Sequence, residues 1–399
     1  MFVRTLFAAF VFLALLGDAR IFLFVMNRFV FGSHREEKSP WQWLMWAVPP
    51  VLLALTALFW PLSRWVERLL SVPAIEHITP DRLEDLAWTA ALAKAGVAWL
   101  FVAAVVGSIW ILERIRANFL PEPPLAGIRT LPPELVRIRR AHMPFASLQK
   151  LGAHNDVYDI EVTHHEVIVD DLPESFDGYR IAFLTDTHVA SFVRRAFYRE
   201  VVAQVQRFDP DLVLFGGDFV TFHRDIPLVA DRLLDGLSAR DGLFAILGNH
   251  DYWAGLRELP GVRFLTNDRV FLRRGDDVLP LAGIDEMYRG KPDVARAFDG
   301  IDDGAPCLAI SHHPDVIDLV RRRIDLLLCG HTHGGQIRFP FFGPVVVPSR
   351  HEGEYAAGFH RVGPVLMYVS RGIGAIPPLR ILCRPEVATF TLRRGRRRE

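Results

Sequence analysis

Apolar positions along the chain fall into two regimes. Up to about residue 112 they form long blocks; from about His154 they come in runs of four to six, separated by polar turns. Trp41 to Trp60 is a stretch of 20 residues without a charge, the length that crosses about 30 Å of hydrocarbon. Leu86 to Leu112 carries only Lys94, and tryptophans stand at or near the ends of both blocks (Trp41, Trp43, Trp60, Trp88, Trp110), as in a headgroup belt. A first block, Thr5 to Phe31, is interrupted by Asp18, Arg20 and Arg28. The core Leu6–Leu16 after Arg4 also fits a cleaved signal peptide, but apolar residues resume at Ile21–Val25. The pattern therefore predicts three transmembrane helices, over 5–31, 41–60 and 86–112, with Asp18 and Arg20 facing a protein interior.

Residues 121–153 change character. Pro121, Pro123, Pro124, Pro132 and Pro133 exclude a long helix or a central strand, and mark a linker between an N-terminal region (1–120) and a globular domain (154–399). Within that domain, runs of strand length are Arg180–Thr185, Leu212–Gly216, Leu243–Leu247, Val278–Ala282, Cys307–Ser311 and Asp325–Cys329. Helical patterns lie between several of them, at Arg195–Arg207, Pro227–Leu237 and Pro314–Arg322. Uniformly apolar strands mean that both sheet faces are covered, which is layered α/β architecture. Val345–Val347, Val365–Val369 and Val387–Leu392 read as further strands that complete a second sheet.

Composition agrees with a membrane segment joined to a globular domain: 50% of residues are hydrophobic, and 46 basic side chains balance 46 acidic ones. That balance argues against a nucleic-acid partner and against a disordered polyelectrolyte. Cys307, Cys329 and Cys383 are too few and too far apart for a disulfide framework or a paired-cysteine zinc site. Basic residues are denser on the flank holding Arg28, Arg35, Lys38, Arg114 and Arg116, which places the C-terminal region on the cytoplasmic side of an inner membrane.

The polar residues that break the pattern follow the strands. Asp186 and His188 come after the first run, Asp218 after the second, and Gly248-Asn249-His250-Asp251 after the third. His312 and His313 follow Ser311, and His331-Thr332-His333 follows Cys329. The steps of 32 residues from Asp186 to Asp218 and 31 from Asp218 to Asn249 each match one strand–helix–strand unit, so these residues converge on the carboxyl edge of a sheet. Asp186, His188, Asp218, Asn249, His312, His331 and His333 supply imidazole, carboxylate and amide oxygen without thiolate. That set suits zinc, manganese or iron, and seven ligands suit two ions sharing a carboxylate. Such a pair clamps a phosphorus centre for in-line displacement. His313 competes with His312 for the metal, or fixes the turn before Pro314. The other histidines, His164, His165, His351 and His360 among them, read as packing or surface residues; His223, just past Asp218, reads the same way, with contact to substrate as its alternative.

The chain resembles the calcineurin-like metallophosphoesterase superfamily, in particular its bacterial membrane-anchored branch with a Gly-His-Thr-His-Gly-Gly-Gln signature, here Gly330 to Gln336. Gly248-Asn249-His250-Asp251-Tyr252, Ser311-His312-His313-Pro314-Asp315 and Ser370-Arg371-Gly372-Ile373-Gly374 carry the likeness, which covers about residues 155–395. Two departures stand out: Thr185 replaces the usual Ser, and Gly217–Thr221 lacks a further acidic residue. The resemblance implies a four-layer α/β/β/α sandwich and two divalent ions (Mn, Zn or Fe). One is held by Asp186, His188, Asp218 and His333, the other by Asp218, Asn249, His312 and His331. It further implies that His250 faces the scissile phosphate and protonates the leaving oxygen, that Asp251 orients His250, and that a metal-bridging hydroxide attacks. The expected protein is a membrane-anchored phosphoesterase, with a lipid-linked pyrophosphate such as UDP-diacylglucosamine as one substrate class. The alternatives are a phosphodiesterase or phosphatase acting on soluble or envelope substrates, and a non-catalytic scaffold.

Overall fold

Strand β4 (Arg180–Leu184) sets the plan of the molecule. Ala182 and Leu184 point into one hydrophobic core, Ile181 and Phe183 into another, and all four are fully buried. A strand apolar on both faces needs cover on both sides, and here a helical layer lies on one and a second sheet on the other. The structure, a computed structural model, describes residues 12–18, 20–21, 98–113, 116, 125–138, 155–340, 343–344 and 346–395. The chain divides into two compact units, the second running from Pro123 to Glu399.

In that second unit the first sheet holds β1 (Ile128–Thr130), β2 (Glu134–Arg137), β3 (Asp159–Val169), β4, β5 (Leu212–Phe215), β6 (Leu243–Ala245), β7 (Val262–Phe264) and β16 (Glu386–Arg394). Its order is β1-β3-β16-β4-β5-β6-β7, with β2 also on β3. Strands β4 to β7 are parallel, as the strand–helix–strand spacing demands. The second sheet holds β8 (Asp268–Arg274), β9 (Asp277–Ile284), β10 (Leu308–Ser311), β11 (Ile324–Cys329), β14 (Gly358–Val362) and β15 (Val365–Val369), in the order β14-β15-β11-β10-β9-β8. Strands β9, β10, β11 and β15 run parallel. A short pair, β12 (Arg338–Phe339) and β13 (Gly343–Pro344), stands apart.

Three cores follow. Side chains of both sheets, among them Phe183, Leu214, Leu281, Ile310, Leu328 and Phe390, fill the space between them. The helix Arg195–Phe208 covers the outer face of the first sheet, and Phe197, Tyr198, Val201 and Val205 form its buried stripe at helical spacing. Over the second sheet the cover is thinner, made of Val294–Ala297 and the turn Pro314–Asp318 with their loops.

Several expectations are corrected. Residues 386–394 join the first sheet, between β3 and β4, because Val387 and Phe390 alternate into its two cores. The helical pattern at Pro314–Arg322 gives only a 3-10 turn over Pro314–Asp318. The Pro-rich stretch contributes the exposed edge strands β1 and β2, positions that tolerate proline nearby. Strand β3, 11 residues long, escapes a search for apolar runs because Glu161, His164, His165 and Glu166 interrupt it.

The multi-pass inner-membrane placement, with its cytoplasmic catalytic side, is also overturned. Among the described residues no helix is long and apolar enough to cross a membrane. The block 41–60, and most of 5–31, lie outside the described residues. Within the first unit Asp18 is buried and accepts a hydrogen bond from Trp99 Nε1 at 3.0 Å.

A buried polar clasp ties the sheets together. Glu386 accepts from Tyr368 Oη (2.7 Å), Thr163 Oγ1 (3.0 Å) and the Arg371 amide (2.9 Å), and Arg371 also pairs with Glu161 at 2.9 Å. Burial disfavours the Glu386 charge, but Arg371 and these donors outweigh it and hold the carboxyl down at about 2. His165, packed against Tyr368 and Phe390, is lowered to about 4 by burial. Both native values lie below the unfolded ones, so protons bind the unfolded chain first. Stability should fall from about pH 6.5 to 4 through His165, then from about pH 4.5 to 2 through Glu386. The His165 limb is worth up to roughly 3 kcal/mol. Melting curves of wild type and His165→Gln from pH 7.5 to 4.5 check this: the variant should lose the slope, and parallel curves refute the assignment.

Candidate metal centre

Parallel strands of each sheet end on the edge where the nominated side chains stand. Asp186 follows β4, Asp218 follows β5, and Asn249 opens the short helix Asn249–Ala254 after β6. From the second sheet His312 follows β10 directly, and His331 and His333 follow β11. The two edges meet: His312 Nδ1 donates to the Gly216 carbonyl across the sheets (2.7 Å), and the His331 amide donates to Asp186 Oδ2 (2.9 Å). Five of these residues have left-handed backbone, Asp186 (φ 50°), His188 (41°), Asp218 (54°), His331 (69°) and His333 (51°). Non-glycine residues adopt this region only where surrounding contacts enforce it, and such strain gathers at functional sites. Glycines give the close approach. A Cβ on Gly330 would lie 2.1 Å from Thr185 Oγ1, and one on Gly248 2.1 Å from Asp218 Oδ1.

Among the described residues two groups could hold a metal ion: Asp186, His188 and His333, and Asp218, His312 and His331, the ligand atoms of each lying within 4.8 Å of one another. Asn249 Oδ1 is 3.1 Å from His312 Nε2, beside the second group. Asp218 Oδ2 reaches both groups, 3.7 Å from His188 Nε2 and 3.4 Å from His312 Nε2.

The donor atoms fit divalent cations. His188 Nε2 faces His333 Nε2 at 3.2 Å, and His312 Nε2 faces His331 Nδ1 at 3.1 Å. Because His312 Nδ1 must donate to a carbonyl, its Nε2 offers a lone pair when the ring is neutral. Burial lowers His188 and His333 to about 3, with the Arg380 charge adding to the effect on His333, and it drives His331 well down, so three rings are neutral at pH 7, the state in which imidazole can bind a metal. His312 goes the other way: burial opposes its charge, yet Asp218 raises it to about 10. A positive charge is therefore demanded at that point, as a proton on the bare ring or as a cation on its lone pair. Oxygen and imidazole donors without thiolate suit zinc, manganese or iron.

Neighbours orient the ligands. Thr221 Oγ1 pairs with His188 Nδ1 at 3.0 Å, in the block that lacks a further carboxylate. Thr185 Oγ1 donates to Asp186 Oδ2 at 2.7 Å. The Asp251 carboxylate accepts from the amides of Gly248 (2.9 Å) and Val220 (3.3 Å), pinning the loop. His250 donates its amide to Asp218 Oδ1 (2.8 Å), its ring lies 5.0 Å from that of His188, and its Nδ1 has no hydrogen-bond partner among the described residues. His313 Nδ1 accepts the Asp315 amide and caps the following turn. His223 Nδ1 bonds the Ala254 carbonyl instead of approaching the ligands.

Two residues escaped sequence reasoning. Arg380 is fully buried and donates to the carbonyls of Arg371 (2.8 Å), Gly372 (3.2 Å) and Gly374, and to the His333 carbonyl (3.4 Å). Nothing in its local sequence marks it. Glu286 is also fully buried and accepts the amides of Tyr288 and Arg289, while its Oε1 has no hydrogen-bond partner among the described residues. A signal existed here, since Asp285-Glu286 follows β9 as the other acids follow their strands.

Two sheets that deliver paired nitrogen and oxygen clusters to one edge form a centre whose donors fit divalent metals. The family model described as calcineurin-like phosphoesterase matches residues 179–335. The chain is 30% identical to the uncharacterized metallophosphoesterase YkuE of Bacillus subtilis (strain 168) over 248 residues, 59% of this chain and 86% of that protein. It is 32% identical to phosphodiesterase YaeI of Escherichia coli (strain K12) over 225 residues, 54% of this chain and 82% of that one. A transmembrane protein with metallophosphoesterase domain from Danio rerio is 30% identical over 272 residues, 63% of this chain and 61% of that protein. The chain belongs to the calcineurin-like metallophosphoesterase family, and it is a metal-dependent phosphoesterase.

Proposed function

We propose that this centre hydrolyses phosphodiesters, with Asp186, His188, Asp218 and His333 around one ion and Asp218, Asn249, His312 and His331 around the other. The observation that carries this is the reach of Asp218 Oδ2 to both histidine groups, at 3.7 and 3.4 Å. Two divalent cations at such a site supply Lewis acidity and activate water for in-line attack at phosphorus. The chain's own residues do the rest. Burial keeps His188 and His333 neutral, Gly216 fixes the His312 tautomer, and Thr185 and the His331 amide orient Asp186. His250 is the group for the leaving oxygen: its amide is tied to Asp218, its ring adjoins His188, and its Nδ1 is uncommitted among the described residues. Asp251 serves the same end indirectly, by holding the loop that presents His250.

The choice of diester leans on the resemblance to phosphodiesterase YaeI. A manganese-loaded panel tests it with bis(p-nitrophenyl) phosphate, p-nitrophenyl phosphate, inorganic pyrophosphate and UDP-diacylglucosamine. The diester should turn over fastest; a clear preference for any other member refutes the assignment. His250→Ala should keep both ions and lose about 10²–10⁴ in kcat. Unchanged turnover removes His250 from the chemistry, and lost metal reassigns it.

A further inference from the structure

One turn beyond His250, on the same face of its short helix, stands Trp253. It is 75% exposed, the most exposed large hydrophobic side chain among the described residues. Its ring lies 6.3 Å from the His250 ring, and the Arg289 guanidinium sits 5.9 Å from the Trp253 ring centroid. Both sides of this pair are braced. The Tyr252 hydroxyl donates to Asp285 Oδ1 at 2.5 Å, Asp285 Oδ2 accepts the Lys291 amide, and Glu286 accepts the Arg289 amide. Buried Asp285 thus fastens the loop carrying Arg289 to the segment that carries His250 and Trp253, and buried Glu286 braces that loop internally. An indole left in water is an unsatisfied apolar surface, and one held beside a guanidinium at the mouth of a phosphoesterase centre has the parts to receive a flat ring and the anion attached to it.

We infer that Trp253 and Arg289 form a recognition platform for phosphate esters whose leaving group carries a planar aromatic ring, the ring stacking on Trp253 and the guanidinium facing the ester's negative charge. This rests on the assignment of His250 to the leaving oxygen, because that places the leaving group on the Trp253 side of the centre. The platform is a specificity element; it takes no part in bond breaking. Stacking on an aromatic side chain is tolerant of which ring is presented, so nucleobases and simple aryl groups fall in one class.

The test compares competitive inhibition by AMP and by ribose 5-phosphate, which share a phosphate and a sugar and differ by the ring. The full chain, loaded with manganese, hydrolyses bis(p-nitrophenyl) phosphate as reporter. Wild type should hold AMP about tenfold more tightly than ribose 5-phosphate. Trp253→Ala should bring the two constants together, whereas Trp253→Phe should keep most of the difference. AMP should also quench a component of the tryptophan fluorescence that is missing from Trp253→Phe, a readout independent of turnover. Equal constants in wild type, or a preference that survives Trp253→Ala, overturn the platform and leave the metal centre untouched. If no phosphodiester is hydrolysed at all, the diester assignment falls, and the platform falls with it.

Discussion

Asp218→Asn should empty the centre and silence the enzyme. Asp218 Oδ2 lies within 4 Å of an imidazole nitrogen of each cluster, and its other oxygen holds the His250 amide at 2.8 Å. Burial opposes its charge, yet the surrounding histidines hold it below the usual carboxylate range, so it is an anion at every working pH. Changing it to an amide keeps the shape and removes one negative charge from between the two candidate sites. We expect metal content, measured by plasma mass spectrometry after gel filtration, to drop from two ions per chain to one or none. The value of kcat/KM should fall more than about a thousandfold, the loss of some 4 kcal/mol of transition-state stabilisation. Retention of both ions with near-normal turnover would remove Asp218 from its shared position.

The second large effect is structural. Arg380→Met should lower stability by about 4 kcal/mol and weaken metal binding at the same time. The guanidinium is buried with no ion-pair partner among the described residues, and its charge is spread over carbonyls of residues 371, 372, 374 and 333. Methionine fills part of the volume and leaves those acceptors dry, each costing about 1–3 kcal/mol. Because the same side chain links the His333 turn to the loop 371–374, which packs on Asp186 and His188, the damage should reach the ions. Calorimetry should show a melting point lower by roughly 10 °C, with a weaker manganese affinity in titration. Arg380→Lys, which keeps charge without the planar fork, should fall between. A methionine variant that melts with wild type would show that the carbonyls find other donors.

The clustering of the candidate ligands was more legible in the sequence than the scaffold that positions them. Asp186, Asp218, Asn249, His312, His331 and His333 each follow a strand whose apolar run is continuous, so the break in pattern and the site coincide. The same rule misses β3, where Glu161, His164, His165 and Glu166 are satisfied by partners such as Arg371, Thr389, Tyr368 and Arg393, residues more than 200 positions away. It misses Arg380 for a related reason: a carbonyl cage has no side-chain signature. The sheet membership of β16 depends on a long return of the chain, and no local pattern encodes it. In the N-terminal region hydropathy alone predicted spanning helices, and among the described residues no helix is long and apolar enough to cross a membrane.

The left-handed backbone at Asp186, His188, Asp218, His331 and His333 has a consequence for how this protein tolerates change. Each such turn is easier for glycine by about 1 kcal/mol or more. A selection for thermal robustness alone would therefore drift toward glycine at these positions and dismantle the cage one donor at a time. Firmness and catalysis pull against each other here at the level of single torsion angles.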